Sequence, residues 1–358
     1  MKLLNSTWAL TLLSLALVAS TGCKKENEEE PLPEPIVTSG MVVACEGAFN
    51  QNNASLHWIG NDGSERNNLY AQANGVNAGD VLQSYREFNG FGYLVMNNSQ
   101  KVEVVNAATF QAVGTITGCN YPRDVFVLTQ QKGYLTNGNL DGQVLIFNPT
   151  NQNIIGSINV GNGPEQLTSN GQYVFVANSG GWSSDNTVSV INPLNDQVVA
   201  TVTVGDRPVS VLNDYQNNVW VLCAGAIEYD QNWNVVGETA ARLIRIDGNA
   251  HVVTADVTIG EIGDHPTNMA LTPDRNAIYI VNSGLITFDI NTAALIAGPV
   301  AGGPFSTVGV DNEGGNIYLG SVPDYVNDDE IFVYSNSGSL LKTIGTGIAP
   351  RSMVYRAE

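Results

Sequence analysis

Charged side chains are scarce in this 358-residue chain, at 14%, and the Glu, Lys, Ala and Leu mixture that favours helices is thin. Cysteine is limited to Cys23, Cys45, Cys119 and Cys223, with no CxxC or other metal spacing and no separations that outline a disulfide framework. In an exported protein the last three read as buried small hydrophobes, with a Cys–Cys bridge left open. The three histidines, His57, His251 and His265, fall on separate repeats without ligand spacing, which speaks against a histidine-built metal centre. There is no GxSxG, no Walker loop and no GxGxxG between a strand and a helix, so no enzyme class is indicated. His265 beside Asp264 suggests a base, but an exposed loop residue is the simpler account. Positive charge is also short. Fifteen Lys and Arg against 34 Asp and Glu give a net charge of −19, a field that repels phosphate backbones and makes nucleic acid a poor partner. The acidity otherwise reports solubility.

What the chain has is glycine, 37 residues of it, and frequent asparagine, the mark of a turn-rich β protein. It also has an address. Met1 to Asn5 carries Lys2, and Trp8 to Ala19 is apolar but, at about a dozen residues, too short to span a bilayer core of ~30 Å. Ser20-Thr21-Gly22-Cys23 then resembles a lipobox, so residues 1–22 are read as a signal peptide and Cys23 as the lipidation site. The alternative is an ordinary cleavage site with an incidental cysteine. Residues 23–38, running Lys24-Lys25-Glu26-Asn27-Glu28-Glu29-Glu30 and then Pro31-Leu32-Pro33-Glu34-Pro35, have almost nothing to bury and read as a solvated tether. The charge run after Cys23 also resembles the surface-export signal of Bacteroidota lipoproteins, implying an outer-membrane protein that faces the exterior. A plain periplasmic spacer is the other reading.

Residues 39–358 are a repeat. Short β-branched or aromatic runs recur seven times, at Val42–Gly47, Gly92–Asn97, Gly133–Asn137, Tyr173–Asn178, Val219–Cys223, Ile278–Asn282 and Ile317–Ser321. The strands that follow end at Gly60, Asn106, Asn148, Asn192, Asp247, Asp289 and Ser335, spaced 46, 42, 44, 55, 42 and 46 residues. Propeller blades have a period of about 40–50 residues. The one long interval holds an insertion near Ala224 to Ala241. An innermost strand precedes each repeat, opened by Pro122, Pro164, Pro208, Pro266, Pro304 or Pro350, with Gly79-Asp80-Val81 in that place for blade two. The first repeat lacks one, but Pro350 to Tyr355 is spare and can join blade one, closing an all-β, seven-bladed β-propeller of four-stranded blades without open edges.

In such blades the loops joining second to third strands share a face with the links between blades, and here that face is aromatic and polar. It offers Phe49, Asn50, Asn52, Asn98, Asn139, Trp182, Tyr229, Trp233 and Tyr325 from loops, and Tyr121, Arg123, Arg207, His265 and Arg351 from links. Rings and amide or guanidinium donors around one mouth suit a large, partly polar organic ligand. Asparagine, however, also populates turns because it tolerates left-handed backbone. Asp324, Asp328, Asp329 and Glu330 are oxygen donors that suggest calcium weakly, since their spacing matches no defined loop. No resident cofactor is expected.

Glu46-Gly47-x-Phe49 with Asn53-Ala54-Ser55-Leu56, Gly79-Asp80-Val81-x-Gln83-Ser84, Val95-Met96-Asn97-Asn98-Ser99, Gly118 with Pro122-Arg123, and Gly347-Ile348-x-Pro350 together resemble the YVTN, or YncE-like, propellers. The resemblance runs from Met41 to Tyr355 and is strongest to surface lipoproteins of Bacteroidota that bind cobalamin. It implies a cell-surface protein that captures a corrinoid, or a similar bulky nutrient, and delivers it to a TonB-dependent transporter, touching the membrane only through its lipid. A protein–protein scaffold or adhesin without a small ligand is the alternative. A propeller lactonase or hydrolase is disfavoured for want of a metal or acid–base set.

Overall fold

The second strand of each repeat is apolar along its whole length because it is enclosed on both faces by neighbouring sheets. In the computed structural model, which describes residues 34–357 apart from Leu140, Ser283, Ala301 and Pro304, these strands are the most deeply buried. Gly40–Cys45, Val174–Asn178 and Ile317–Ser321 are buried at every position. Outer strands such as Ile154–Asn159 and Val253–Thr258 are largely exposed and weave between exposed and covered positions. The signal peptide, Cys23 and Pro304 lie outside the described residues.

Seven antiparallel four-stranded sheets result, with a further two-stranded hairpin, Ile227–Tyr229 and Val235–Glu238, inside the long fifth repeat. The innermost strands are Leu82–Phe88, Pro122–Thr129, Pro164–Ser169, Pro208–Asn213, Met269–Leu271, Phe305–Val310 and Pro350–Arg356. Each touches its counterpart in the next blade all the way round. Pro350–Arg356 pairs with Gly40–Cys45 in blade one, placing Val354 opposite Val42 and Met353 opposite Val43. The expected closing strand is thus present, and the ring is sealed by first and last strands of the propeller.

The core is distributed rather than central. Seven apolar clusters fill the seven junctions between adjacent blades. The junction of blades five and six packs Trp220 against Phe288, and that of blades seven and one packs Met41 and Val43 against Tyr318 and Ile331. Each such side chain contributes roughly 1.5–3 kcal/mol. Cys45, Cys119 and Cys223 are free and buried in this packing, which pushes each thiol up to about 12 and leaves them inert hydrophobes rather than bridge partners.

Among the described residues one short helix, Leu69–Asn74, lies in the link from blade one to blade two. Among the described residues no helix is long and apolar enough to cross a membrane. The last residues of the expected tether are already part of the body. Ile36 is buried in the cluster between blades one and two, and its N–H donates to the carbonyl of Ala108 at 2.9 Å.

Candidate functional site

A channel runs along the propeller axis. Its larger cavity, about 540 Å³, is lined from the innermost strands of all seven blades, and a smaller one of about 220 Å³ opens at the face formed by the inter-blade links. The two share Arg123, Glu165, Val209, Thr267 and Arg351 and so form one continuous depression. Four of the residues that directly follow a strand-opening proline, Arg123, Glu165, Val209 and Arg351, stand in this ring with Thr267, which follows Pro266. The pleat of an innermost strand turns the position after the proline toward the axis.

The residue before the proline is positioned by a second repeated device. Tyr121 (φ 51°), Gly163 (54°), Arg207 (52°) and Ala349 (57°) all adopt left-handed backbone, as does Val81 (60°) in blade two. Each carbonyl then accepts an N–H from the end of the second strand of its own blade. The donors are Gly138 to Tyr121 (2.8 Å), Ser179 to Gly163 (2.9 Å), Ala224 to Arg207 (2.9 Å), Glu46 to Ala349 (2.8 Å) and Asn97 to Val81 (2.8 Å). Glycine is required in blade four, where a Cβ on Gly163 would lie 2.0 Å from the nitrogen of Gly181. Tyrosine and arginine take this conformation at a cost of about 1–2 kcal/mol each, and both line the mouth. Strain kept at a cleft by large side chains marks a functional position more than a folding one.

Charge in the channel is arranged in layers. Arg123 donates to Glu165 (2.7 Å) and Gln83 (2.8 Å), and the other oxygen of Glu165 accepts the Ser179 hydroxyl at 3.2 Å. Below it Arg86 grips fully buried Asp124 through two bonds of 2.9 and 2.8 Å, and that carboxylate raises the Arg86 pKa further. Arg351 faces Glu46 at 3.5 Å. Over this polar floor Trp182, 74% exposed, meets Tyr121 edge to face.

Of the fourteen residues expected on this face, Tyr121, Arg123, Trp182, Arg207 and Arg351 converge on the mouth. Tyr325 stands where its phenol feels the charges of Glu46 and Arg351. The Asn98 amide is tied down within the loops, whereas Asn50 and Asn52 keep exposed side chains. Asn50 N–H and Asn98 Nδ2 both donate to Asp80, at 2.7 and 2.6 Å, and Asn98 also bonds Asn50. Asn52 occupies a left-handed turn (φ 52°) whose carbonyl accepts from Asn77, while buried Asn139 donates to Asp141 at 3.2 Å. Phe49 is exposed in the same loop as Asn50 and Asn52. Tyr229 and Trp233 pair at 6.0 Å on the exposed hairpin of blade five and do not line the mouth. His265 corrects the picture of an exposed loop residue. It is half-buried, and its Nδ1–H donates to the Ala224 carbonyl at 2.7 Å, leaving a buried Nε2 3.9 Å from Glu238.

Asp324, Asp328 and Asp329, the weak calcium candidates, lie in the loop that precedes Glu330–Tyr334. Asp324 accepts the N–H groups of Val326 and Asn327, which hold its carboxyl below the usual range, and Asp329 accepts the N–H of Ala349 at 2.7 Å. Among the described residues no group of three acidic, histidine or cysteine side chains gathers that could hold a metal ion. Sequence reasoning passed over Glu165, Thr267, Gln83 and the deeper Arg86 and Arg275, although three of these, Gln83, Arg86 and Glu165, sit on innermost strands.

The fold and mouth define a seven-bladed propeller with an arginine-lined axial depression. Residues 39–227 match the family described as a domain of unknown function, DUF5074, and the chain belongs to that family. No curated protein matches it. Among solved structures, it is similar to the hydrazine synthase of Kuenenia stuttgartiensis, at 16% identity and a TM-score of 0.60 over 75% of this chain and 88% of that one. It is similar also to a quinonprotein alcohol dehydrogenase-like protein from Bacteroides thetaiotaomicron, at 15% identity and a TM-score of 0.64 over 89% and 78%. At these identities the likeness is one of fold.

Proposed function

We propose that the chain is a non-enzymatic capture lipoprotein, anchored through Cys23 at the outer-membrane surface. It holds a bulky, partly polar nutrient, foremost a corrinoid, for a TonB-dependent transporter. The domain plan is a signal peptide over 1–22, a lipidated tether from 23 and the propeller to the C-terminus. The observation that carries the reading is the convergence of Tyr121, Trp182, Arg123, Arg207 and Arg351 on one preformed depression. Its floor is set by innermost strands and its rim by loops clamped to those strands by backbone hydrogen bonds, so little conformational freedom is lost on binding. The corrinoid itself rests on the likeness of Glu46-Gly47-x-Phe49 and the related motifs to the cobalamin-binding YncE-like lipoproteins. Calorimetric titration of the purified protein with cyanocobalamin tests it. Saturable heat with an accompanying spectral shift at micromolar concentration is expected, and neither signal would remove the corrinoid.

A scaffold reading draws support from a different place. The blade-five hairpin exposes Tyr229, Trp233, Val235 and Val236 away from the mouth, an apolar set unusual on a charged surface. It predicts co-purification with a membrane partner that survives removal of any vitamin and is lost with Trp233→Ser.

A further inference from the structure

We infer that the channel mouth contains an oxyanion seat, with the guanidinium of Arg207 as the contacting cation, for a phosphate or carboxylate carried by the ligand. The inference deepens the capture reading and rests on it, but it does not require the ligand to be a corrinoid.

The chain has a net charge of −19 and only nine arginines. Five of them, Arg86, Arg123, Arg207, Arg275 and Arg351, line the continuous axial cavity, against a single acidic lining residue, Glu165. Three of the five are matched by carboxylates beside the cavity, so the unmatched positive charge there is carried by Arg207 and Arg275. Exterior charges more than about 8 Å away are largely screened at physiological salt, so the local set governs contact.

Within the set, three arginines are already answered. Arg86 is held by Asp124, Arg123 by Glu165, and Arg351 faces Glu46. Arg275 donates to the Asn213 carbonyl at 2.7 Å. Arg207 is different. Its main chain is clamped, through Asp185 and Ala224, but among the described residues its side chain has no ion pair or hydrogen bond, although it is half-buried in the mouth. A partly desolvated guanidinium with no acceptor is unfavourable by itself and is completed by an oxyanion that offers it two oxygens.

Its backbone sharpens the point. Arg207 has φ 52°, where Gly163 stands at the equivalent position of blade four with φ 54°. Glycine serves that turn, so the turn does not call for arginine. The side chain is explained by what it meets in the mouth. Trp182 and Tyr121 alongside would cover the organic body to which the anion is attached.

The test uses the purified protein at low ionic strength, titrated calorimetrically with inorganic phosphate, phenyl phosphate, benzoate and neutral benzamide. At least one anion should bind, benzamide should not, and added salt should weaken the anion. Phosphate probes binding better than benzoate assigns the seat to a phosphate, and the reverse assigns it to a carboxylate. Arg207→Gly relieves the left-handed backbone, so it should melt no lower than the parent while losing about tenfold or more in anion affinity. Arg207→Gln is the parallel variant if the glycine form is altered in stability. Absence of binding by all three anions, or equal binding by the parent and a folded Arg207 variant, overturns the seat. Cyanocobalamin run on the same preparations separates the two claims. If it fails while phosphate or benzoate binds, the corrinoid falls and the seat stands. If it binds parent and Arg207→Gly alike and no anion competes, the seat falls and capture stands.

Discussion

The indole of Trp182 stands edge-on to the phenol ring of Tyr121, with centroids 5.1 Å apart and planes at 82°. One comes from a loop of blade four and the other from the link entering blade three, so the pair bridges two blades at the rim of the mouth. An indole left 74% exposed adds little to folding, and this one is placed over a cavity rather than over core.

Removing that indole should therefore separate stability from binding. Trp182→Ala is expected to shift unfolding free energy by no more than about 0.5 kcal/mol. Loss of a central aromatic anchor should weaken ligand binding by about 2 kcal/mol, roughly thirtyfold. Thermal melts paired with calorimetric titration of whichever ligand binds the parent would measure both quantities. A large drop in melting temperature with unchanged affinity would make Trp182 a packing residue.

The pair Arg86 and Asp124 should behave in the opposite way. Asp124 is completely buried and accepts both nitrogens of Arg86, while Arg86 remains 39% exposed. Asp124→Asn leaves the guanidinium without its carboxylate deep in the channel. Solvent access to Arg86 moderates the loss, so about 2 kcal/mol is expected, below the range for fully enclosed pairs. Chemical denaturation of the variant should show a lower midpoint with an unchanged slope, and blade count should survive.

These contrasts show which features could be read from residues alone. The seven blades and the closing strand were legible because apolar second strands alternate with proline-opened strands at a blade period, and Pro350 to Tyr355 had no other partner. Tyr121, Arg123, Arg207 and Arg351 were legible because each adjoins a strand-opening proline, and Trp182 because a long polar loop carries it. The part played by Asn98 was not legible, since an amide that serves a ligand and one that ties a loop to Asp80 look identical in sequence. Glu165 and Thr267 were missed for a related reason. Glu165 lies in no long loop, and only the pleat of its innermost strand reveals that the position after the proline faces the axis, while Thr267 sits in the link before Met269–Leu271 and its residue type gives no signal.

His57 makes the ring seam sensitive to acid. Its Nε2 accepts both the Ser55 hydroxyl at 2.8 Å and the Gly347 N–H at 3.0 Å, so Nδ1 must carry the proton that it donates to Asn67 at 3.1 Å. Gly347 leads into the closing strand, so this neutral ring latches the last repeat to blade one. Burial lowers the His57 pKa from 6.5, against smaller opposing effects of Asn67 and Asp328. The unfolded chain therefore takes up the proton first. The contribution of His57 is complete above pH 6.5 and is lost as pH falls from there through the depressed native value. Melting temperature should decline over that interval and the decline should shrink in His57→Asn. His251, also lowered by burial, remains in both proteins, so their difference isolates the latch. Parallel pH curves for the two would assign the acid sensitivity elsewhere.

Closure itself offers the sharpest test of the fold. Pro350–Arg356 supplies the inner edge of blade one, pairing with Gly40–Cys45 from Gly40 opposite Arg356 to Cys45 opposite Pro350. Its Arg356 lies over the rings of Trp58 and Phe110 and pairs with Glu87, so it also fastens blade one to blade two. Deleting residues 350–358 would strip the partner from an entirely buried strand and expose an unpaired apolar edge at the channel. The truncated protein should lose its cooperative thermal transition and elute as aggregates on size exclusion. Supplying the missing segment in trans as a peptide should restore part of both, since the edge it leaves has the same register to offer. Arg356→Ala, which keeps the strand but removes the tie to Glu87 and the two rings, should cost only about 1–3 kcal/mol. A truncated chain that melts like the full one would mean that blade one stands on three strands, and that sealing the ring is not what the C-terminal strand is for.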